Sequence, residues 1–142
     1  MGENDKMTPP MTEAATRSVL IVEDSENSAA TMEMALLGIP GVSVLLAASG
    51  LEALRIMDEA GSAVQAIITD LNMPRMDGFE LIRRIRENGR TSAVPIVVVS
   101  ADTDPDTPER VAQMKVDAFF AKPFSPAQVR RKLEQLLNAT KP

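Results

Sequence analysis

Five side chains capable of chemistry stand just past short apolar runs. Glu23 and Asp24 follow Val19-Leu20-Ile21-Val22, Asp70 follows Ala66-Ile67-Ile68-Thr69, Ser100 follows Ile96-Val97-Val98-Val99, and Lys122 follows Ala118-Phe119-Phe120-Ala121. The chain has no cysteine and no histidine, which removes thiol nucleophiles, disulfides, Cys-based zinc sites and the commonest general base. Its chemistry must run on carboxylates, hydroxyls and amines. Three converging carboxylates repel one another by more than one lysine offsets, and hard oxygen ligands favour a divalent ion such as Mg2+. A carboxylate beside a bound cation and an ammonium can attack a phosphorus centre, because both positive groups neutralise the phosphoryl oxygens. Asp70, at the end of a central run, is the natural nucleophile. Taken singly each residue has a plainer role: Asp24 as a helix cap, Ser100 as a turn hydroxyl, Lys122 as a solvated amine, and Asp70-Leu71-Asn72-Met73-Pro74 as a polar turn. What is specific is their arrival, in order, at one edge of a sheet.

That edge exists only if the elements are arranged to make it. Apolar stretches at 18–22, 42–47, 66–69, 95–99 and 118–121 alternate with amphipathic stretches at 25–38, 50–60, 78–88, 107–115 and 126–138. The short β-branched runs suit strands buried on both faces. Ala53, Ile56, Met57 and Ala60 keep the helical period, as do Val129, Leu133 and Leu136. Ser49 with Glu52, Asp77 with Glu80, and Ser125 with Gln128 have the spacing of helix N-caps, and Pro108 and Pro126 suit a first turn. Strict alternation of strand and helix calls for right-handed crossovers and a parallel sheet covered on both faces. The expected fold is α/β, a flavodoxin-like (βα)5 three-layer sandwich of strand order 2-1-3-4-5. Ligands of such sheets bind beyond the carboxyl ends of the strands, where the five side chains stand.

Residues 18–138 are expected to form this one domain, with 1–17 a disordered N-terminal tail and 139–142 a C-terminal tail. The tail has prolines at 9 and 10 and no apolar period, nor the pattern of a secretory signal. Hydrophobic residues make up 44% of the chain, and no run approaches the roughly 18 residues a membrane span needs. The net charge of -5 argues against direct nucleic-acid binding, and Arg83, Arg84 and Arg86 are read as a solvated helix face. No glycine-rich loop of the Walker type is present.

The sequence resembles the response-regulator receiver family over nearly all of residues 18–138. The resemblance rests on Val19-Leu20-Ile21-Val22-Glu23-Asp24, Ile68-Thr69-Asp70-Leu71-Asn72-Met73-Pro74 with Met76-Asp77-Gly78, Val98-Val99-Ser100-Ala101, and Lys122-Pro123-Phe124. It implies that Asp70 accepts a phosphoryl group from a phosphohistidine on a sensor histidine kinase or histidine phosphotransfer protein. It further implies that Glu23, Asp24, Asp70 and the backbone carbonyl of Asn72 bind Mg2+, with Mn2+ able to substitute. Ser100 and Lys122 would hold the phosphoryl oxygens, Ser100 swinging inward to report the modification. Phe119, three residues before Lys122, would change rotamer with it, and strand alternation sets it on the opposite side of the sheet from Phe120. Lys122-Pro123 resembles the cis peptide of the family.

Two departures stand out. Glu23 occupies a position where the family often has a second aspartate, and Asp102-Thr103-Asp104-Pro105-Asp106 makes the rim unusually acidic, which is read as a solvated loop, the alternative being a segment that loosens the start of the fourth helix and slows attack on an acidic partner. The expected function is a cytoplasmic phosphoacceptor switch of a two-component system or phosphorelay. It is not an enzyme acting on a separate substrate, although it would catalyse its own phosphorylation and dephosphorylation. The output face would be formed by residues 107–115, 118–121 and 126–138, reaching an effector that the sequence does not name, in a monomer or a phosphorylation-dependent dimer. Partner binding is the expected readout if the chain is the whole protein, a fragment of a larger regulator or hybrid kinase being the equal alternative. An aspartyl-phosphate phosphohydrolase is the enzyme alternative, disfavoured by Asn72 where such enzymes carry an acid. A phosphate-independent interaction module is the other, disfavoured because the whole site set is present.

Overall fold

The computed structural model describes residues 17–60 and 63–139. Within them, strands and helices alternate: β1 (Arg17–Val22), α1 (Glu26–Leu36), β2 (Val42–Ala47), α2 (Gly50–Ala60), β3 (Val64–Thr69), α3 (Gly78–Glu87), β4 (Ile96–Ser100), α4 (Thr107–Gln113), β5 (Ala118–Ala121) and α5 (Pro126–Ala139). All strand pairs are parallel, in the order β2-β1-β3-β4-β5. This is the flavodoxin-like order expected from the alternation.

The unbroken apolar runs of β1, β3 and β4 feed two cores because successive side chains point to opposite faces. Leu20, Val22, Ile67, Ile96 and Val98 meet Ala53 and Met57 of α2, Leu81, Ile82 and Ile85 of α3, and Val111 of α4. Val19, Ile21, Ala66, Ile68, Val97 and Val99 meet Met32, Ala35 and Leu36 of α1 and Val129, Leu133 and Leu137 of α5. Helices α1 and α5 therefore cover one face, and α2, α3 and α4 the other. Burying each large aliphatic side chain contributes about 1.5–3 kcal/mol, so the two cores fix the register that aligns the strand ends.

Several boundaries differ from the sequence reading. Arg17 belongs to β1 rather than to a tail, its N–H donating to the Gly41 carbonyl at 2.7 Å; residues 1–16 lie outside the described residues. At the other end α5 runs one residue further, to Ala139. Helix α1 starts at Glu26, and its cap is Ser25, whose side chain accepts from the Ser28 N–H, so Asp24 is not the capping residue. The caps at Ser49, Asp77 and Ser125 are made as spaced. Helix α4 stops at Gln113 instead of 115, because Lys115 takes a left-handed backbone conformation, φ 61°, that no helix continues through. Arg83 and Arg84 do lie on a solvated face, paired with Glu80 and Glu87. Arg86 does not. Its side chain is 15% exposed and donates to the carbonyls of Ser92, Val94 and Lys115. Burial pulls the guanidinium below its ordinary pKa, partly opposed by Asp117 nearby.

Candidate functional site

The site is assembled by strands that end level with one another. The Glu23 N–H donates to Ala47 at the end of β2, the Asp70 N–H to Val22 at the end of β1, and the Lys122 N–H to Ser100 at the end of β4. Glu23, Asp70 and Lys122 are thus each the first residue past a strand, held by a final rung of the ladder, while Asp24 follows Glu23 and Ser100 is itself the last residue of β4. The loop after Asp70 is pinned from below: the Gly78 N–H donates to the Leu71 carbonyl at 2.8 Å. A Cβ on Gly78 would lie 2.7 Å from Leu71 Cα and closer still to the Asp70 carbonyl oxygen. Only glycine lets α3 start this near the Asp70 backbone.

Carboxylate oxygens of Glu23, Asp24 and Asp70 all lie within 4.8 Å of one another. Glu23 is 4% exposed and Asp70 6%, whereas Asp24 is open to solvent. The Lys122 ammonium closes the cluster, donating to Glu23 Oε1 at 2.8 Å, Asp70 Oδ2 at 3.2 Å and Ser28 Oγ at 3.4 Å. The other oxygens are engaged by backbone. Glu23 Oε2 accepts from the Ser25 N–H at 3.1 Å, and Asp70 Oδ1 accepts from Leu71 at 2.6 Å and Asn72 at 3.3 Å. Burial pushes the Glu23 carboxyl above the usual glutamate range; the bonds from Lys122 and Ser25 oppose this without cancelling it, and the Asp70 charge adds to it. Burial alone would lower the Lys122 pKa, but its bonds to Glu23 and its proximity to Asp70 outweigh that and raise it, so the amine stays charged. Three hard oxygen donors gathered at the open end of a sheet, with only one protein cation among them, are a donor set that fits a small divalent ion.

Ser100 is fully buried at the same rim. Its Oγ accepts from the Asp102 N–H at 3.1 Å and from the Asn72 side-chain amide at 3.5 Å. The acidic segment that follows is ordered by its own side chains: Asp102 accepts from the Asp104 N–H at 2.8 Å, and Asp104 from the Asp106 N–H at 2.9 Å. Ser100, Asp102, Asp104 and Asp106 thereby form a ladder leading to the start of α4, so the segment is the solvated loop expected, ordered by its own side chains. Phe119 is half-buried against the α2–α4 core and Phe120 against the α1–α5 core, on opposite faces. The Lys122–Pro123 peptide is cis. The structure brings Glu23, Asp24, Asp70 and Lys122 into direct proximity. It sets Asn72 against both Asp70 and Ser100, and leaves Phe119 on the adjacent strand. Sequence reasoning missed Ser28, which touches Lys122 one helical turn into α1; its only signal was its place just after the capping serine.

A protein-family match described as response regulator receiver domain covers residues 19–134. The chain is similar to chemotaxis protein CheY1 of Helicobacter pylori, 31% identical over 121 residues that cover 84% of this chain and 95% of that protein. Among solved structures it is similar to chemotaxis response regulator CheY4 of Vibrio cholerae, with 29% identity and a TM-score of 0.74 over 85% of this chain and 98% of that one. It is similar also to the receiver domain of a sensor histidine kinase from Pseudomonas aeruginosa, a structure with a magnesium ion coordinated in the active site cleft. There the identity is 28% and the TM-score 0.76, over 87% of this chain and 98% of the other.

Proposed function

We propose, from the premise that this chain belongs to the response regulator receiver domain family of two-component signalling, that Asp70 is its phosphoacceptor. The observation that carries the reading is the environment of this one carboxylate. Oδ1 is fixed by the backbone of Leu71, and Oδ2 faces the Lys122 ammonium at 3.2 Å, at the open end of the sheet. An Asp70 oxygen attacks the phosphorus of a phosphohistidine, the P–N bond breaks, and the imidazole leaves with the electron pair, giving an acyl phosphate. Attack by water later releases inorganic phosphate and restores the carboxylate. Lys122 remains beside the modified side chain and pairs with a phosphoryl oxygen. The Ser100 hydroxyl exchanges the Asp102 N–H for another phosphoryl oxygen, and Phe119 follows into the space vacated.

Glu23, Asp24, Asp70 and the Asn72 carbonyl would hold Mg2+, or Mn2+ in its place, which when bound neutralises charge on the phosphoryl oxygens. The magnesium in the cleft of the similar Pseudomonas aeruginosa receiver domain supports this. The phosphodonor is a sensor histidine kinase or histidine phosphotransfer protein, and the switching unit is residues 18–138. Output passes through the face made by α4, β5 and α5 to an effector protein, from a monomer or a dimer that forms on phosphorylation. The protein is a cytoplasmic switch that catalyses only its own phosphorylation and dephosphorylation. Among the described residues no helix is long and apolar enough to cross a membrane. Mass spectrometry after incubation with acetyl phosphate or phosphoramidate and Mg2+ tests the reading: one labile phosphoryl group is expected on the parent and none on Asp70→Asn. Equal labelling of the two would refute it.

A further inference from the structure

Helices α3 and α4 share a face of the sheet, but α4 is short and ends at Gln113. Between them lies an open trench of about 800 Å3, lined among others by Arg75, Met76, Phe79, Arg83, Arg110 and Met114. Its floor is apolar: Met76 is buried, and Phe79 and Met114 pack against the core from below. Its rim is cationic. The Arg110 guanidinium lies over the Phe79 ring, 3.9 Å from the centroid. Arg75 stands in the loop before α3 with φ 69°, a conformation non-glycine residues rarely take.

The pairing of these cations is uneven. Arg83 and Arg84 are spent on Glu80 and Glu87 of their own helix. Among the described residues the guanidiniums of Arg75 and Arg110 make no ion pair or hydrogen bond, and that of Arg110 has only the Phe79 ring. In a chain with 20 acidic residues and a net charge of -5, two guanidiniums without a carboxylate partner beside a half-buried aromatic are a local reversal of sign. Arginine beside an aromatic is the composition of an interface centre, and a guanidinium pairs with a carboxylate through two parallel hydrogen bonds.

We propose that the trench between α3 and α4 is a docking site for an acidic polypeptide segment with an apolar anchor. The anchor sits on Met76, Phe79 and Met114, and carboxylates on either side of it pair with Arg75 and Arg110. The ten residues of α3 span about 15 Å, which matches roughly five residues of extended chain. A nucleic acid fits poorly, because the floor of Met76, Phe79 and Met114 offers a phosphate backbone nothing and suits an apolar side chain. This surface shares only α4 with the output face proposed above, and it does not depend on phosphorylation of Asp70.

The test is selection of phage-displayed random decapeptides on the immobilised full chain. Recovered peptides are then synthesised with a fluorescent label, measured by anisotropy and mapped by amide NMR shifts. Peptides pairing Asp or Glu with Phe or Leu are expected, with shifts clustered at 75–84 and 107–114. Arg110→Glu and Arg75→Gly should each weaken binding, the former by roughly tenfold or more. Glycine suits the left-handed position, so Arg75→Gly removes the charge without strain in the fold. Arg55→Glu, on α2 with its side chain 64% exposed and outside both the trench and the output face, should leave affinity unchanged. Peptides without acidic residues, shifts mapping to another face, or equal affinity for the parent and both trench variants would overturn the proposal. So would an oligonucleotide that bound the parent more tightly than any selected peptide and lost that binding in the same variants.

Discussion

Replacing Lys122 by methionine keeps the aliphatic stem and removes the one cation among the three carboxylates, so it isolates what that charge does. The ammonium bonds Glu23 at 2.8 Å and Asp70 at 3.2 Å, and those partners are 4% and 6% exposed. Breaking a buried ion pair by removing one partner costs about 3–5 kcal/mol. Two features reduce that here: the lysine side chain is 18% exposed, so water reaches the gap, and Glu23, already shifted upward by burial, can take a proton. A loss of about 2–3 kcal/mol in the absence of metal follows, which for a domain of this size is a fall in Tm of about 6–12 °C. The pH dependence has a definite sign. An acid whose folded pKa lies above its unfolded value binds its proton more tightly when folded, so its contribution is complete below the unfolded pKa and is lost as pH rises through the folded one. The deficit of Lys122→Met should therefore be smaller at pH 5 than at pH 8. A divalent ion supplies the missing charge, so saturating Mg2+ should raise the Tm of the variant by more than that of the parent. Thermal melts by circular dichroism, with EDTA and with Mg2+ at both pH values, read all three effects. A Tm within 2 °C of the parent in EDTA at pH 8, or an equal gain from Mg2+ in both proteins, would refute the reasoning.

Asp24→Ala should weaken Mg2+ binding far more than Asp104→Ala, because Asp24 belongs to the carboxylate cluster and Asp104 accepts a backbone N–H in the outer loop; NMR titration with Mg2+ decides, and comparable losses would contradict the distinction. Ser100→Ala should still permit modification of Asp70 but lose most of the shift changes that beryllofluoride, a stand-in for the phosphoryl group, induces at 107–115, 118–121 and 126–138. Identical remote changes in variant and parent would exclude Ser100 as the coupling hydroxyl. Gly78→Ala forces its new methyl into the backbone of Asp70 and Leu71, which cannot yield as a flexible side chain would. It should cost about 1–3 kcal/mol in urea unfolding and slow phosphorylation by acetyl phosphate, and an unaltered rate would mean that α3 does not position Asp70.

The sheet order and the positions of the five site residues were legible because both follow from one regularity: short apolar runs of β-branched residues, each ended by a polar one. A strand buried on both faces must stop where the first charged side chain appears, so the end of the run and the candidate site coincide, as at Val22-Glu23 and Thr69-Asp70. The helix faces were legible for the same reason. Contacts that close long loops in sequence were not. Arg86 looked like its exposed neighbours because nothing local shows that the turns at Ser92, Val94 and Lys115 offer three carbonyls to its guanidinium. The acidic segment after Ser100 is solvated as its charge implied, but its internal bonding went unread because charge was weighed before hydrogen bonding. An aspartate or serine that accepts the N–H two residues on is a local turn device, and Ser100, Asp102 and Asp104 in alternation build a ladder.

The ladder and Lys122 together explain how a static cluster of charges can act as a switch. Without a ligand, the ammonium offsets part of the repulsion between Glu23 and Asp70, and the Ser100 hydroxyl satisfies the Asp102 N–H. Each of these two donors or acceptors is also what a phosphoryl group on Asp70 would require. Lys122 can serve both states without leaving its place, since its partner changes from a carboxylate oxygen to a phosphoryl oxygen on the same residue. Ser100 cannot, because its hydroxyl hydrogen and lone pairs must turn from Asp102 toward Asp70. The N–H it abandons begins the chain of bonds through Asp102 and Asp104 to the first turn of α4, whose residue Thr107 is buried with a hydroxyl that has no partner. A rearrangement there has an unsatisfied polar group to gain from, so on the reading proposed above the side chain that would turn, Ser100, is the one linked by hydrogen bonds to the start of α4.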